Sequence, residues 1–327
     1  MGTPKQQSYN FVIVGGGAAG LTAALYSSRR EMKTLVISQD VGGQAATTPD
    51  IENYPGIAFS HGVELMDTFK KQAENFGAEF VFDSVTKIEK LDDGNFTVHT
   101  NSFAVTADAI LLAFGLSHRH LGVPGEEEMI GKGVSYCATC DAPLYRGKNV
   151  IVVGGGNSAM DAALLLSKIA QTVTVVNKNP EFHGESVLMD KIKAASNIKS
   201  IFNADSKAVL DKEGKNRVSH LVIKDAGSNT ETELQTDGIF VEIGFTVNAD
   251  WIKGLVDVDE RKQIKITPNC ETNVPGIFAA GDVTTVEYKQ IVISAGEGAK
   301  AALQAHTYFM QKSGKRTAFI DWGMKKK

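Results

Sequence analysis

Two stretches of the chain carry the same order of apolar and polar positions. The first runs from Tyr9 to Val14, through GGGAAG at 15–20 and a helix-spaced run to Arg30, into KTLVIS at 33–38. The second runs from Asn149 to Val153, through GGGNSA at 154–159 and a helix-spaced run to Ile169, into TVTVVN at 172–177. Short, continuously apolar runs predict strands covered on both faces, as in a parallel sheet. A strand, glycine turn, helix and strand within about 30 residues predict a dinucleotide-binding fold. Each unit is followed by shorter strand-like stretches. Residues 78–114 carry turn signals at Asp93-Gly94 and near Asn101-Ser102 and end in AILLAFG, and residues 200–243 repeat that arrangement, ending in GIFVEIG at 238–244. GIFAAGD at 276–282 and a helical pattern from Ser294 to Met310 complete the pattern. The prediction is an α/β protein with two Rossmann-like dinucleotide-binding domains, each with a small β-meander. Crossings near Leu116–Gly122 and Gly244–Asn248 make the second domain, 118–246, an insertion between 1–117 and 247–327.

Composition narrows the function classes. The 327 residues suit about two domains at roughly 150 residues each. A net charge of −4 offers no basic excess for nucleic acid or an anionic membrane surface. MGTPKQQSYN lacks a basic start followed by a long apolar run, and no run of about 18 apolar residues occurs, so neither secretion nor a membrane span is expected. A cytoplasmic protein follows as the expectation. The basic GMKKK end reads as a solvated tail. Cys137, Cys140 and Cys270 are too few for a disulfide scaffold, and two of them stand three positions apart. That usage points to a reducing compartment and a catalytic or metal role.

The glycine turns carry binding chemistry. Gly15 permits the tight turn, Gly17 lets backbone approach a pyrophosphate, and Gly20 lets helix and strand pack closely. The phosphates then rest on unsatisfied N–H groups at the helix start. Gly154, Gly156 and Ala159 are the second set, and alanine is accepted in the third place. Two such turns imply two dinucleotides. With a dithiol between them, a flavin and a nicotinamide are the economical pair, because electron transfer from nicotinamide to disulfide needs a cofactor.

CATC at 137–140 has C-x-x-C spacing, which closes a small disulfide ring and lowers the pKa of one thiol. A zinc site would want a second such pair or paired histidines, and neither is present, so no metal is expected. Asp141 stands beside the pair, either as a proton carrier or as a surface acid opening the DAP turn. Cys270 reads as an apolar filler or an exposed thiol. His118 and His120 read as loop residues, and EEE at 126–128 as a solvated turn.

CATCD between two nucleotide units, followed by AAGD, resembles the low-molecular-weight thioredoxin reductase family. The resemblance covers nearly the whole chain: GGQ at 42–44, ENYPG at 52–56, LGVPGE at 121–126, YCATCD at 136–141, GGGNSAMDAA at 154–163, VPGIFAAGD at 274–282 and QIVISAGEGAKAA at 290–302. It implies FAD in the discontinuous domain, around Gly15, Gly17, Ala18, Ala19, Gly20, Gly43, Gln44, Asn53, Gly115, Gly281, Asp282, Gln290 and Ile291. It implies NADPH in the inserted domain, at Gly154, Gly156, Asn157, Ser158, Ala159 and Lys178. Cys140 would be the thiol nearest the flavin, Cys137 the one exchanging with thioredoxin or a similar small redoxin, and Asp141 the acid. The resemblance also implies a homodimer whose inserted domain rotates, so that nicotinamide and dithiol take turns at the flavin.

One segment departs from the family. Where members usually carry a His-Arg-Arg run and a further Arg for the 2′-phosphate of NADPH, this chain has VVNKNPEFH at 175–183. The matching positions are Asn177, Lys178, Asn179 and His183, and Lys178 is the one fixed cation among them. Each lost charge-assisted contact is worth about 1.5–3 kcal/mol, or roughly one to two decades of affinity. NADPH stays the first donor, with NADH, ferredoxin or another donor behind it, and oxygen as acceptor in a thiol oxidase. Ser38 and Gln39 stand where an acid usually meets the adenosine ribose, with Asp40 next in line. The alternative of another class is a non-catalytic, nucleotide-binding redox sensor.

Overall fold

The computed structural model describes residue 4, residues 6–48 and residues 51–314, so the GMKKK end and the first three residues lie outside the described residues. The chain forms two compact units. One joins the chain up to Leu116 with the chain from Val247 onward, and the other is Ser117–Thr246. The first begins with β1 (Ser8–Val14), α1 (Ala18–Ser28), β2 (Thr34–Ser38), α2 (Gly62–Asn75), β3 (Glu79–Phe82), β4 (Val85–Lys90), β5 (Phe96–Thr100) and β6 (Ala104–Leu112). The second holds β7 (Ser117–His118), β8 (Val134–Ser135), α3 (Ala138–Asp141), β9 (Asn149–Val153), α4 (Asn157–Ser167), β10 (Thr172–Val176), α5 (Ser186–Ala194), β11 (Ile198–Ile201), β12 (Ala204–Leu210), β13 (His220–Asp225), β14 (Glu231–Gln235), β15 (Gly238–Val241) and β16 (Phe245–Thr246). The first unit resumes with β17 (Ile277–Ala279) and α6 (Ile291–Lys312).

The first unit's sheet runs β3-β2-β1-β6 in parallel and then divides. The start of β6 pairs antiparallel with β5, Phe96 opposite Ala107, while its end pairs parallel with β17, Ile277 opposite Ile110. Successive side chains alternate between two cores, as the strand period of two requires. Val12, Val14, Ile110 and Leu112 fill one face with Val98 and Ile277. Phe11, Ile13, Ala109 and Leu111 fill the other with Ala19, Ala23, Ala301 and Ala305 of α1 and α6. Small residues let these two helices approach closely, to the point that a Cβ on Gly298 would lie 2.1 Å from the Ala19 carbonyl oxygen.

The second unit has a parallel sheet in the order β11-β10-β9-β15-β8. Val150 and Val152 of β9 face Ala159, Ala163 and Leu166 of α4, while Ile151 and Val153 face Val209, Leu221 and Ile223 of a separate antiparallel sheet, β12-β13-β14. The two meanders are therefore not equivalent. In the first unit β6 is both the last meander strand and the return strand of the parallel sheet. In the second, β14 and β15 divide those duties at Thr236-Asp237. There Asp237 accepts the Asn149 N–H at 2.9 Å and the Thr236 hydroxyl donates to the Gly238 carbonyl at 2.8 Å, ending one strand and starting the next.

The ends of the second unit are zipped together. β7 and β16 pair antiparallel, His118 opposite Phe245, and Arg119 donates from its backbone to Gly244 and from its side chain to the Phe245 carbonyl, both at 2.9 Å. His118, read from sequence as a loop residue, lies in this ribbon, because Phe245 and Tyr136 give its ring two aromatic partners, 4.7 and 5.7 Å away. Among the described residues no helix is long and apolar enough to cross a membrane.

Candidate active site

The parallel strands of each unit end beside the glycine turns. Gly15 has φ 112° and an added Cβ would sit 2.3 Å from the Ala113 carbonyl oxygen, so a side chain there would force β1 and the end of β6 apart. The Ser38 hydroxyl accepts the Gly16 N–H at 2.9 Å, which gives this serine a structural use where an acid was expected. A Cβ on Gly17 would meet nothing closer than the Gly42 carbonyl oxygen at 3.9 Å, so the turn is open on that side. Gly17 also caps α1 with no side chain to bond, leaving the N–H groups of Ala18, Ala19 and Gly20 at an open helix start.

Neighbouring segments complete this cradle. Gly42 donates to the Gly16 carbonyl at 2.7 Å and so brings the helical turn Gly43–Ala45 alongside, and Asp40 accepts the Gly43 N–H at 3.1 Å. The Gln44 amide reaches the Leu116 carbonyl at 3.5 Å, just after Gly115, which has φ 67° and open space around it. From the far end of the chain, a Cβ on Gly281 would lie 3.0 Å from that of Ala19. Asp282 follows, accepting from the Ser294 hydroxyl at 3.1 Å, and burial pushes its carboxyl above the ordinary range. Gln290 caps α6 through its backbone, with no side-chain bond of its own to the helix, and accepts from the Asn53 amide at 3.2 Å; Ile291 opens the helix. The expected FAD residues thus gather around two uncapped helix starts.

In the second unit Gly154, at φ 150°, repeats the constraint: a Cβ there would lie 2.2 Å from the Glu242 carbonyl oxygen. Gly156 caps α4 without a side-chain bond, Ser158 is exposed on the first turn and Ala159 is buried. Residues 177–185 wrap this turn. His183 donates from its backbone to the Gly155 carbonyl at 2.9 Å, and the Asn157 amide accepts the Glu185 N–H at 2.8 Å. Asn177, matched by resemblance with a phosphate-binding position, is 2% exposed and held inside the loop. Its amide donates to the Glu181 carbonyl at 2.8 Å and accepts the Asn179 N–H at 3.0 Å. Lys178 is exposed beside it.

Cys137 and Cys140 form a disulfide, with Cα atoms 5.3 Å apart. Cys137 sits at the N-cap of α3, its sulfur accepting the Cys140 N–H at 3.2 Å, and Ser135 accepts the Cys137 N–H at 3.1 Å. Cys140 is exposed, and Cys137 and Asp141 are half-buried. Cys270 is fully buried, and that burial pushes its thiol up to about 11, so it is a filler and not an exposed thiol. No group of three or more metal-ligating side chains occurs among the described residues.

Three glutamates were not legible from sequence. Glu126, expected in a solvated turn, is 1% exposed. Its carboxylate accepts the N–H groups of Leu121 and Gly122 and the Tyr136 hydroxyl, each at 2.7 Å, because the following strand brings Tyr136 back over the turn. Burial and this carboxylate hold the Tyr136 phenol well above its usual range, so it remains a donor one residue before Cys137. Glu297, inside α6, accepts the Gly281 N–H at 2.8 Å; its place amid the small residues of AGEGAKAA was the available signal of burial. Glu242, directly after β15, donates its backbone N–H to the Val153 carbonyl at 2.8 Å, and burial pushes its carboxyl up to about 7.

The profile of the pyridine nucleotide-disulphide oxidoreductases matches residues 9–298. The chain belongs to that family. Among solved members, thioredoxin reductase from Lactococcus lactis superposes with a TM-score of 0.83 at 34% identity, covering 93% of this chain and 99% of that one. Thioredoxin reductase from T. acidophilum superposes with a TM-score of 0.80 at 36% identity, covering 92% and 99%. In sequence the chain is similar to a subunit of alkyl hydroperoxide reductase in Escherichia coli (strain K12), 39% identical over 311 residues, which make up 94% of this chain and 59% of that protein. The chain spans about three-fifths of the length of the curated relatives it matches.

Membership of the pyridine nucleotide-disulphide oxidoreductases implies FAD and a pyridine nucleotide. The residues present fit both: α1, α4 and α6 each begin without a side-chain cap, and a Cβ on the second glycine of either turn would meet nothing closer than ordinary contact, Gly42 at 3.9 Å for Gly17 and His183 at 3.6 Å for Gly156. The Glu126 cluster supports the approach to the cysteines. Glu126→Ala should leave buried donors unsatisfied and lower stability by roughly 1–3 kcal/mol, read as a lower urea midpoint. An unchanged midpoint would show that this cluster contributes nothing.

Proposed function

We propose that this chain moves an electron pair from a reduced pyridine nucleotide, through the Cys137–Cys140 pair, to a disulfide of a small redoxin such as thioredoxin. The observation that carries the reading is the disulfide at α3, in the same unit as a glycine turn fit for a dinucleotide. FAD, when bound, supplies the two-electron transfer between nicotinamide and disulfide that no side chain performs. The first unit's residues, from Gly15 to Gly20 and from Gly281 to Ile291, would hold it; the turn at Gly154–Ala159 would hold the nicotinamide dinucleotide.

The dithiol step balances within the chain. The reduced pair acts when the Cys137 thiolate attacks the partner's disulfide, forming a mixed disulfide and expelling one partner thiolate. The Cys140 thiolate then attacks the Cys137 sulfur, re-forming the disulfide and expelling the second partner thiolate. The two protons that Cys137 and Cys140 give up as thiols pass to the two expelled thiolates, with Asp141, next to Cys140, as the candidate carrier. The assignment of Cys137 as the exchanging thiol carries over the resemblance read in the sequence; of the two, Cys140 is the more exposed, so the roles are set by the adduct test below. A second reading of the partner draws on the alkyl hydroperoxide reductase relatives: the redoxin served would then feed alkyl hydroperoxide reduction.

Donor choice follows from residues 177–185. With Asn177 engaged inside its loop and Lys178 as the lone lysine or arginine of that segment, the 2′-phosphate of NADPH gains little. We therefore place NADH at least level with NADPH, a change of order from the sequence-based expectation.

Two outcomes are expected. Cys140→Ser should accumulate a covalent adduct with the redoxin on a non-reducing gel, while Cys137→Ser should form none; the reverse pattern would swap their roles. In steady-state assays kcat/KM with NADH should equal or exceed that with NADPH, and Lys178→Ala should reduce kcat/KM for NADPH by roughly tenfold while leaving NADH unchanged. A preference for NADPH beyond about a hundredfold would contradict the assigned donor, and flavin reduction by reduced ferredoxin alone would replace it.

A further inference from the structure

Residues 183–185 are pinned across the nucleotide turn of the second unit. The His183 N–H donates to the Gly155 carbonyl at 2.9 Å, and the Glu185 N–H donates to the Asn157 side-chain oxygen at 2.8 Å. Between them Gly184 packs so closely that a Cβ there would lie 2.1 Å from that same oxygen. The Asn157 amide donates in return to the Glu185 carboxylate at 3.2 Å, so the acid of this segment already has a partner.

The pinning decides where the His183 ring stands. Outside the turn itself, the three atoms nearest to the point a Cβ would occupy on Gly156 all belong to His183: Nε2 at 3.6 Å, the carbonyl oxygen at 3.8 Å and Cδ2 at 4.0 Å. The second glycine of a dinucleotide turn keeps that point empty so that a pyrophosphate can approach the backbone. In the first unit the same point on Gly17 faces the Gly42 carbonyl oxygen at 3.9 Å and no side chain within 4 Å. The ring is also set to donate. The Asn179 amide nitrogen lies 3.5 Å from His183 Nδ1. An amide N–H given to Nδ1 leaves the proton of a neutral ring on Nε2, the nitrogen over Gly156. A donor there adds to the N–H groups at the uncapped start of α4, which already favour an anion.

We propose that His183 binds the diphosphate of the dinucleotide, its Nε2 donating to a phosphate oxygen over Gly156. The inference rests on reading Gly154–Ala159 as the nicotinamide dinucleotide turn. It departs from the role that resemblance gives this position, which is contact with the 2′-phosphate. The diphosphate is common to NADH and NADPH. His183 therefore raises the affinity of both alike and leaves the choice between them to Lys178.

The test is isothermal titration calorimetry of the FAD-loaded protein with ADP-ribose and with its 2′-phosphate, wild type against His183→Ala. Both probes carry the diphosphate and neither carries a nicotinamide, so the readout is binding alone. The variant should bind both probes roughly tenfold more weakly, as expected for one lost hydrogen bond to a charged group, with the ratio of the two affinities unchanged. A loss confined to the 2′-phosphorylated probe would assign His183 to that phosphate and overturn the proposal. Unchanged binding would overturn it too, as would tighter binding, which would mark the ring as an obstruction. Should His183→Ala not fold, Gly184→Ala decides: its Cβ forces residues 183–185 away from Asn157 with the ring intact, and unchanged affinity for both probes would again overturn the proposal. A wild type that binds neither probe would strike the nucleotide reading of the turn and this inference with it. Equal binding by wild type and His183→Ala would strike His183 alone.

Discussion

The structure depends on backbone approaching backbone where side chains would not fit. At Gly15 and Gly154 a Cβ would lie within 2.3 Å of a carbonyl oxygen from the neighbouring parallel strand's end. That approach turns the chain from the end of β1 or β9 directly into a helix and aims the helix start at the carboxyl edge of the sheet. Ligand phosphates in open α/β sheets bind at such edges. The same constraint fixes the two segments on either side of the turn: Ser38 and Gly42 in the first unit, Glu242 and residues 177–185 in the second. What each unit binds is therefore decided by what surrounds a shared piece of geometry.

Those surroundings differ between the units in a way that suits different tasks. The first unit brings the last quarter of the chain back onto α1, so that Asp282, Glu297 and the start of α6 frame the cradle. The second spends its extra strands on a separate sheet and puts the cysteine pair on a single helical turn instead. The family's chemistry needs both a flavin cradle and a reactive dithiol, and the division into two units gives each its own core.

The sequence disclosed what local pattern controls. Apolar runs beside glycines marked β1, β2, β9 and β10, and Cys-x-x-Cys marked the disulfide, because spacing along a few residues decides each. The merging of meander and return strand in β6, and their separation at Thr236-Asp237, depend on pairings between distant strands and left no local sign. The three acids of EEE at 126–128 are alike in sequence, yet Glu126 is buried because Tyr136 folds back over it. Asn177 matched a phosphate-binding position by resemblance, and in the structure its amide is held by the Glu181 carbonyl inside the loop. Polar residues take their meaning from partners that periodicity does not reveal.

On the reading proposed above, one chain holds two electron carriers in series, a flavin and the Cys137–Cys140 disulfide. Anaerobic dithionite titration of the purified holoenzyme, followed by flavin absorbance, tests it most directly. The wild type should take up two electron pairs per chain before the flavin is fully bleached, and Cys137→Ser one. A single pair in both proteins, or a wild type that holds no flavin, would contradict it.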